Sequence, residues 1–496
     1  MLPSMPPTSR RAEILHIYCC YAPVGMRMTM KSLLEFLHKE QMETHVTEGT
    51  VVAMIDKYEI DETARVKRSM TFEGFLRYME SKDCCVFNRD HLAVYQDMGQ
   101  PLNHYFISSS HNTYLMGDQL IGKSQLFAYV SALRRGCRCL EIDCWDGPDH
   151  EPIVYHGHTL TSKIFFKDVI ETVEHHAFMV SPYPVILSLE NHCSHSQQEV
   201  MAQHLRSILG DKLLSTTINN TCPKELPSPQ KKKIVVAMEL SDLVIYTKSV
   251  KFISFSHSSE HQKCYENTSI GENKARKLVR NAGTEFVLHN MRFISRIYPA
   301  GTRAFSSNYN PQEFWNVGSQ LVALNFQSTG LPMDLNTGKF RDNGGCGYVL
   351  KPSFMRINQK SFDPNSFQHD FKPVHLLVKV ISGDNIPVPK TRKTIDPYVR
   401  VEIHGVPSDS CRKQTNTVKC TDANPRWDES LSFTIQVPDL ALVRFTIKDH
   451  HIRSDFVGQY TLPFTSLKKG YRWVPLLSKE GFSLDPASLF IYIWYC

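Results

Sequence analysis

This sequence predicts a multidomain chain, part α/β and part all-β. The expected parts are a small helical lobe, a (β/α)8 TIM-type barrel and a C-terminal β-sandwich. Three observations carry that expectation. Between residues 104 and 356, short apolar runs alternate with helix-periodic segments, which argues for a parallel sheet wrapped by helices. Beyond residue 372, short strand-like runs follow one another through turn-rich loops, as in an all-β sandwich. At 496 residues the chain is long enough for two or three domains with substantial cores.

Composition narrows the class. Hydrophobic residues make up 42% and charged residues 21%, ordinary values for a soluble globular protein. The net charge of +6 suits an anionic membrane surface without demanding one. No nucleic-acid partner is expected, and the chain is read as a monomer. Fourteen cysteines are scattered, with pairs at Cys19-Cys20 and Cys84-Cys85 and a cluster at Cys137, Cys139 and Cys144. Their spacing suggests neither a disulfide framework nor a zinc site, so reduced thiols and a cytoplasmic location follow. The apolar stretch Leu15–Met26 is short and interrupted by His16 and Pro23, so it reads as neither signal peptide nor membrane span.

Taken in order, residues 1–27 read as a tail, and Met30–Lys39 and Val51–Tyr58 as the first helices. Another helix opens near Ser69-Met70-Thr71-Phe72, where Ser or Thr supplies a cap. This lobe, 28–93, resembles the second half of an EF-hand pair. A calcium loop there would start at Asp56, but its sixth position is Asp61 where glycine is needed, and its twelfth is Lys67 where Glu is needed. The lobe is therefore expected to be a packing platform for the barrel, not a calcium site. Barrel strands are expected at 104–110, 138–143, 185–190, 233–238, 243–247, 292–297, 321–326 and 347–350. Gln125–Arg134, Phe166–Ala177 and Gln197–Leu209 supply helices between them. A polar linker covers 357–372. The sandwich, 373–496, takes strands His375–Ile381, Tyr398–His404, Leu431–Ile435, Val443–Lys448 and Leu489–Trp494.

The chemistry concentrates at strand ends. Arg138-Cys-Leu-Glu-Ile-Asp-Cys-Trp-Asp-Gly147 puts Glu141 and Asp143 two apart, hence on one strand face. Adjacent acids repel unless a cation lies between them. The run Tyr105–Asn112 delivers His111 and Asn112 at the end of another strand, and Val185–His192 delivers Glu190. Oxygen ligands with a histidine beside them describe a hard-cation site with an acid/base group. Active residues of (β/α)8 barrels sit at such C-terminal strand ends.

The segments SSSHNTYL (108–115), GCRCLEIDCWDG (136–147), YHGHT (155–159), SPYPVILSLENHCS (181–194), SRIYPAGTR (295–303), NPQEFWN (310–316), QLVALNFQ (320–327) and DNGGCGYVLKP (342–352) resemble phosphoinositide-specific phospholipase C. The resemblance implies that 94–230 and 231–356 are the X and Y halves of that family's barrel. IDPYVRVEIHG (395–405), NPRWDESLSF (424–433) and DFVGQYTLP (455–463) resemble a C2 domain. The zeta type is the expected subfamily, with delta second, because the first helices begin too early for a preceding pleckstrin-homology domain.

What the resemblance implies is specific. The reaction is calcium-dependent hydrolysis of phosphatidylinositol 4,5-bisphosphate to inositol 1,4,5-trisphosphate and diacylglycerol, for the zeta type in egg activation at fertilisation. Asn112, Glu141, Asp143 and Glu190 would hold one Ca2+. Glu141 would also be the base, His111 would stabilise the pentacoordinate phosphate and His156 would be the general acid. Ser269, Arg296 and Tyr298 would grip the inositol ring and its 4-phosphate. Asp396, Asp449 and Asp455 would be C2 calcium ligands, weakened by His451 where delta-type relatives have Asp. Leu120 and Leu160 would form an apolar membrane rim, with Arg276 and Thr302 at two further rim positions. The chain would work peripherally on membranes, with a nuclear or perinuclear location as an extension.

One region departs from the family pattern. The lysine pair that the resemblance places after the apolar core of the strand at 233–238 is replaced by Ala237, Met238 and Glu239, and the usual X–Y linker is absent. Strands at 233–238 and 243–247 would be joined by about four residues, whereas parallel neighbours need roughly a dozen. A missing or merged strand is therefore expected, with weaker recognition of the 4- and 5-phosphates. The alternatives are a catalytically impaired phosphoinositide-binding scaffold and another calcium-dependent phosphodiesterase.

Overall fold

The computed structural model describes residues 9–23, 25–215, 226–229, 233–237, 247–357, 362–366, 371–388, 394–421, 423–450 and 455–496. They fall into two compact units, the first made of the N- and C-terminal parts (up to 91, 371–404 and 409–496), the second of 92–370 with 405–408.

The N-terminal lobe is helical: α1 (Arg10–Tyr21), α2 (Met30–Lys39), α3 (Glu48–Tyr58), α4 (Glu62–Val66) and α5 (Phe72–Met79). Each N-cap side chain, Ser9, Thr29, Thr47, Asp61 and Thr71, accepts a bond from a backbone N–H one turn on. Helix α1 corrects the expected tail. Its polar and apolar residues are mixed, but Ile14, Ile17 and Tyr18 are buried against Phe36 and Phe75. The loop that would have bound calcium is otherwise engaged. Arg68 pairs with Asp56 at 2.9 Å, and Asp61 caps α4 and pairs with Arg27 at 3.2 Å.

The second unit is built on eight parallel strands: β1 (Tyr105–Ser110), β2 (Cys139–Trp145), β3 (Val185–Asn191), β4 (Ile234–Ala237), β5 (Lys248–Val250), β6 (Glu266–Gly271), β7 (Ile294–Tyr298) and β8 (Leu321–Leu324). Their order is β4-β3-β2-β1-β8-β7-β6-β5, a curled sheet whose two ends are β4 and β5. Three expectations change here. The expected strand at 347–350 is β9 (Tyr348–Leu350), which runs antiparallel along β1 and is not a barrel strand. Strand β6 escaped the sequence reading because Glu-Asn-Thr-Ser-Ile-Gly has no apolar alternation, although Asn267 and Thr268 are buried. No strand position is missing, since eight parallel strands are present; residues 243–246 of the expected strand lie outside the described residues, and β5 begins at Lys248.

Helices α6 (Leu126–Arg134), α7 (Phe166–His176) and α8 (His195–Leu209) cover the first half of the sheet. Leu133, Leu140, Ile142, Val169, Leu187 and Leu205 form its outer core, each fully or almost fully buried. In the second half, α9 (Phe255–His261), α10 (Glu272–Asn281), α11 (Gly283–Arg292), α12 (Gln312–Trp315) and α13 (Leu331–Lys339) play that part.

The rest of the first unit is an eight-stranded antiparallel sandwich: β10 (Val374–Asp384), β11 (Pro397–His404), β12 (Cys411–Gln414), β13 (Arg426–Ile435), β14 (Leu442–Asp449), β15 (Asp455–Pro463), β16 (Gly470–Leu477) and β17 (Ser483–Tyr495). The helical lobe is fastened to it. Gln41 bonds both the N–H and the carbonyl of Tyr471, at 2.6 and 3.1 Å, in the manner of a neighbouring strand. Arg472, fully buried, and Lys468 each reach Glu43 at 2.7 Å. Burial works against ionisation of Glu43, but Arg472 and Lys468 outweigh it and hold the carboxyl below its ordinary range. A depressed carboxyl stabilises the fold above its unfolded value, near pH 4.5, and that share is lost as pH falls through the folded value. Glu43→Ala, which leaves Arg472 buried without its partner, is expected to cost about 3–5 kcal/mol in urea unfolding at pH 7. The cost should shrink as the native protein is taken toward pH 4. An equal cost at both pH values would remove the ion pair from the account.

Candidate active site

At the C-terminal ends of the barrel strands lies a cleft of about 650 Å3. All nine expected residues for catalysis, cation binding and substrate binding line it: His111, Asn112, Glu141, Asp143, His156, Glu190, Ser269, Arg296 and Tyr298. Strand register brings them together. Asp143 on β2 stands opposite Glu190 on β3, and Ser269 on β6 stands opposite Arg296 on β7. His156 comes from the loop after β2. Gly157 lets that loop close, because a Cβ there would fall 1.9 Å from the Trp145 ring.

The acid cluster is electrostatically unbalanced. Among the described residues, Glu141, Asp143 and Glu190 form the one group of three His, Cys, Asp or Glu side chains with donor atoms all within 4.8 Å of one another. Burial, followed by the charges of Glu141 and Glu190, pushes the Asp143 carboxyl well above its ordinary range, although the Tyr114 hydroxyl donates to it. Asp143 Oδ1 is buried with no hydrogen-bond partner. An orphaned carboxylate oxygen facing two other acids fits a hard cation.

Glu141 is held differently. Burial opposes its ionisation, yet Arg296, His111 and the backbone N–H of Asn112 together keep its carboxyl below the ordinary range. Arg296 Nη2 lies 2.6 Å from Glu141 Oε1, and Asn112 N donates to Oε2 at 2.8 Å. That second bond holds Asn112 at a φ of 40°, a left-handed conformation that Asn tolerates better than most residues. His111 Nδ1 meets Asn325 Oδ1 at 3.0 Å, and the Asn325 amide nitrogen donates to the Ser307 carbonyl at 3.3 Å. This orientation makes Nδ1 the donor and leaves Nε2 open toward the cleft. Desolvation pushes the His111 imidazole below its ordinary value. His156 Nδ1 donates to the Gln119 carbonyl at 2.6 Å, which likewise leaves Nε2 open.

Sequence reasoning missed several residues around the site. Tyr114 and Asn325 lie inside segments that carried the resemblance, but nothing in their spacing gives a role. Gln119 carried no signal at all. The rim also differs from expectation. Leu120 and Leu160 are exposed, 52% and 85%, and joined by a backbone bond of 2.9 Å. Arg276, however, is tied to Glu313 at 2.7 Å and Glu272 at 3.1 Å. Phe305, which the sequence did not single out, is 87% exposed.

In the sandwich, Asp396, Asp449 and Asp455 share one end. Pro397 pairs with Asp449, Asp449 with Asp455, and the Asp396 N–H donates to Asp449 Oδ1 at 2.9 Å. They do not form a tight three-acid group of the kind found in the barrel. His451 lies outside the described residues. No helix among the described residues is long and apolar enough to cross a membrane.

Comparison with known proteins agrees with this geometry. Residues 98–239 match the X domain and 240–354 the Y domain of phosphatidylinositol-specific phospholipase C. Residues 8–89 match the EF-hand-like region of phosphoinositide-specific phospholipase C, and 374–476 match a C2 domain. The chain is 47% identical to 1-phosphatidylinositol 4,5-bisphosphate phosphodiesterase delta-4 of Homo sapiens, over 98% of this chain and 72% of that one. It is 46% identical to the zeta-1 enzyme of Homo sapiens, over 98% of this chain and 89% of that one. The crystal structure of L. pealei PLC21 superposes with a TM-score of 0.90 at 34% identity, covering 98% of this chain and 69% of that one. Delta and zeta relatives thus stand level, and similarity ranks neither type above the other. With X and Y domain matches that together span more than half of it, and with relatives of this identity over nearly its whole length, the chain belongs to the phosphoinositide-specific phospholipase C family.

Proposed function

We propose that this chain hydrolyses phosphatidylinositol 4,5-bisphosphate to inositol 1,4,5-trisphosphate and diacylglycerol, dependent on Ca2+ and at a membrane surface. The observation that carries the reading is the convergence of Glu141, Asp143 and Glu190 with His111, His156 and Arg296 in one cleft. Asn112, Glu141, Asp143 and Glu190 would hold the cation, and all four offer the oxygen ligands that Ca2+ takes. When bound, Ca2+ supplies charge neutralisation at the phosphate and acidifies the attacking hydroxyl.

The protein's own groups then divide the work. Tyr298, Ser269 and Arg296 orient the inositol ring so that its 2-hydroxyl faces the phosphorus, making attack intramolecular. Glu141, kept ionised by Arg296, takes the hydroxyl proton. Arg296 Nε, buried and without a hydrogen-bond partner, is a donor to spare for the substrate. His111, if it takes a second proton beside the anionic phosphate, would donate from Nε2 to the phosphoryl oxygens and stabilise the charge that builds there. His156 gives a proton from Nε2 to the departing diacylglycerol oxygen. In the second half, His156 takes a proton from water as the water attacks the cyclic phosphate, and Glu141 returns its proton to the 2-oxygen. The exposed Leu120, Leu160 and Phe305 supply an apolar rim for contact with lipid, and the C2 domain suits the same surface.

A second reading, a poorly turning phosphoinositide-binding scaffold, has one observation behind it. Strand β4 ends in Ala237, followed by Met238 and Glu239, where the resemblance implied lysines. The two arginines lining the cleft among the described residues are both engaged, Arg296 with Glu141 and Arg303 with both oxygens of Glu272. Without a lysine to donate to it, a phosphate forgoes a charged hydrogen bond worth about 1.5–3 kcal/mol, or roughly a factor of ten or more.

The deciding measurement is inositol phosphate release from vesicles at graded free Ca2+, comparing phosphatidylinositol with its 4,5-bisphosphate. Release that depends on Ca2+, with a preference for the bisphosphate below about tenfold, is expected. Release from neither lipid at any Ca2+ level would leave the scaffold reading standing. A strong bisphosphate preference at high rate would show that other cations replace the lysines.

A further inference from the structure

The side chain that joins Asn112 to Asn325, the partner of His111, is Gln119. It lies between the short strands Leu115–Met116 and Lys123–Ser124 and is 7% exposed. Its Oε1 accepts from Asn112 Nδ2 at 2.8 Å. Its Nε2 donates to Ser306 Oγ at 2.8 Å and to Asn325 Oδ1 at 3.2 Å, so both amide protons are in use. Two consequences follow. With Nδ2 held by Gln119, the end of Asn112 left for a cation is Oδ1, the only atom of that amide able to ligate one. With Asn325 Oδ1 receiving both Gln119 Nε2 and His111 Nδ1, the Asn325 amide cannot turn without losing two bonds, and the His111 tautomer is fixed.

We propose that Gln119 is a positioning residue for this reaction: its one amide sets which atom Asn112 offers and which ring nitrogen His111 turns to the substrate. The proposal rests on the functional reading above. The same residue is also where the rim meets the chemistry. Its backbone N–H donates to the Ala304 carbonyl at 2.8 Å, beside exposed Phe305, and its chain neighbour is exposed Leu120. Its backbone carbonyl holds His156, and a side-chain substitution leaves that bond in place. The His156 arm of the site therefore serves as an internal control.

The test uses the full chain with Gln119→Met, which keeps side-chain length and removes all three amide bonds. Losing a partner that orients such ligands typically costs ~10–100-fold, and kcat should fall by that amount with KM within about twofold. Gln119→Glu keeps an acceptor for Asn112 but no donor for Asn325, and should fall between native and Gln119→Met. The loss in a Gln119→Met, Asn325→Ala double variant should be smaller than the product of the two single losses, because both act on His111 through one bond. Ca2+ binding by calorimetry, with Asp143→Asn as the blank, should weaken by ~10-fold or more in Gln119→Met. The proposal is overturned if Gln119→Met stays within twofold of native in kcat and Ca2+ affinity. It is equally overturned if the losses multiply, or if a lowered melting temperature and a raised KM accompany the change in kcat. A native chain that releases no inositol phosphate defeats the reaction, while the calorimetric comparison still decides the role of Gln119.

Discussion

Asp143→Asn is expected to lower phosphoinositide hydrolysis about a thousandfold or more. Stabilisation of transition-state charge by a bound cation is worth several kcal/mol, and each 1.36 kcal/mol is a factor of ten. Asp143 is the centre of the unbalanced cluster, with its carboxyl driven up by burial and by Glu141 and Glu190, and with Oδ1 unpartnered. The same imbalance separates loss of function from loss of fold. In chelator, the native cluster destabilises the protein at pH values above the ordinary carboxyl range, because the folded state binds a proton there that the unfolded state does not. Asn at 143 removes one of three facing acids, so the melting temperature in chelator should be unchanged or higher. Glu190→Gln, on the opposite strand and exposed, should lose activity with the same unchanged melting temperature. Near-native turnover in either variant would refute the cation assignment, and a lowered melting temperature would show that the acids hold the fold instead.

His111→Ala is the second large loss. Removing a group aimed at developing charge costs ~10²–10³-fold in kcat, and KM should move little if the proposed role of His111, at the phosphoryl group and not at the inositol, holds. Calorimetric Ca2+ binding should persist, since the oxygen ligands stay in place. The geometry adds a discriminating control. Asn325→Ala removes the acceptor that fixes the His111 tautomer, so it should reduce kcat less than His111→Ala does, and combining it with His111→Ala should cost nothing further. A further loss in that double variant would place Asn325 in direct contact with substrate.

The site was unusually legible in the sequence, for a physical reason. A hard-cation centre at strand ends demands acids at fixed short spacings, so Glu141 and Asp143 announce themselves locally, as do His111-Asn112 and Glu190 at the ends of apolar runs. The sandwich was legible from its turn-rich rhythm. Strand β6 was not legible, because strands that face a polar cleft give up the apolar alternation by which strands are recognised. Helix α1 was missed because its apolar residues are interspersed with arginine, cysteine and tyrosine. The lost-strand expectation failed because the β4–β5 connection was judged as one between paired neighbours, whereas these two strands are the ends of the sheet's hydrogen-bonded path.

Residue types and their short-range spacing thus determined, from the sequence alone, the order of domains, the family and the side chains that line the cleft. Tertiary structure decided how those side chains are held. Arg296 on Glu141, Asn325 on His111 and Gln119 beneath Asn112 join residues from separate strands and loops. The first two pairs lie more than 150 positions apart. Arg276 turned inward to its carboxylates, and Phe305 turned outward, for the same reason. A contact across the barrel leaves no periodicity in the chain, because its two halves are brought together only when the sheet curls.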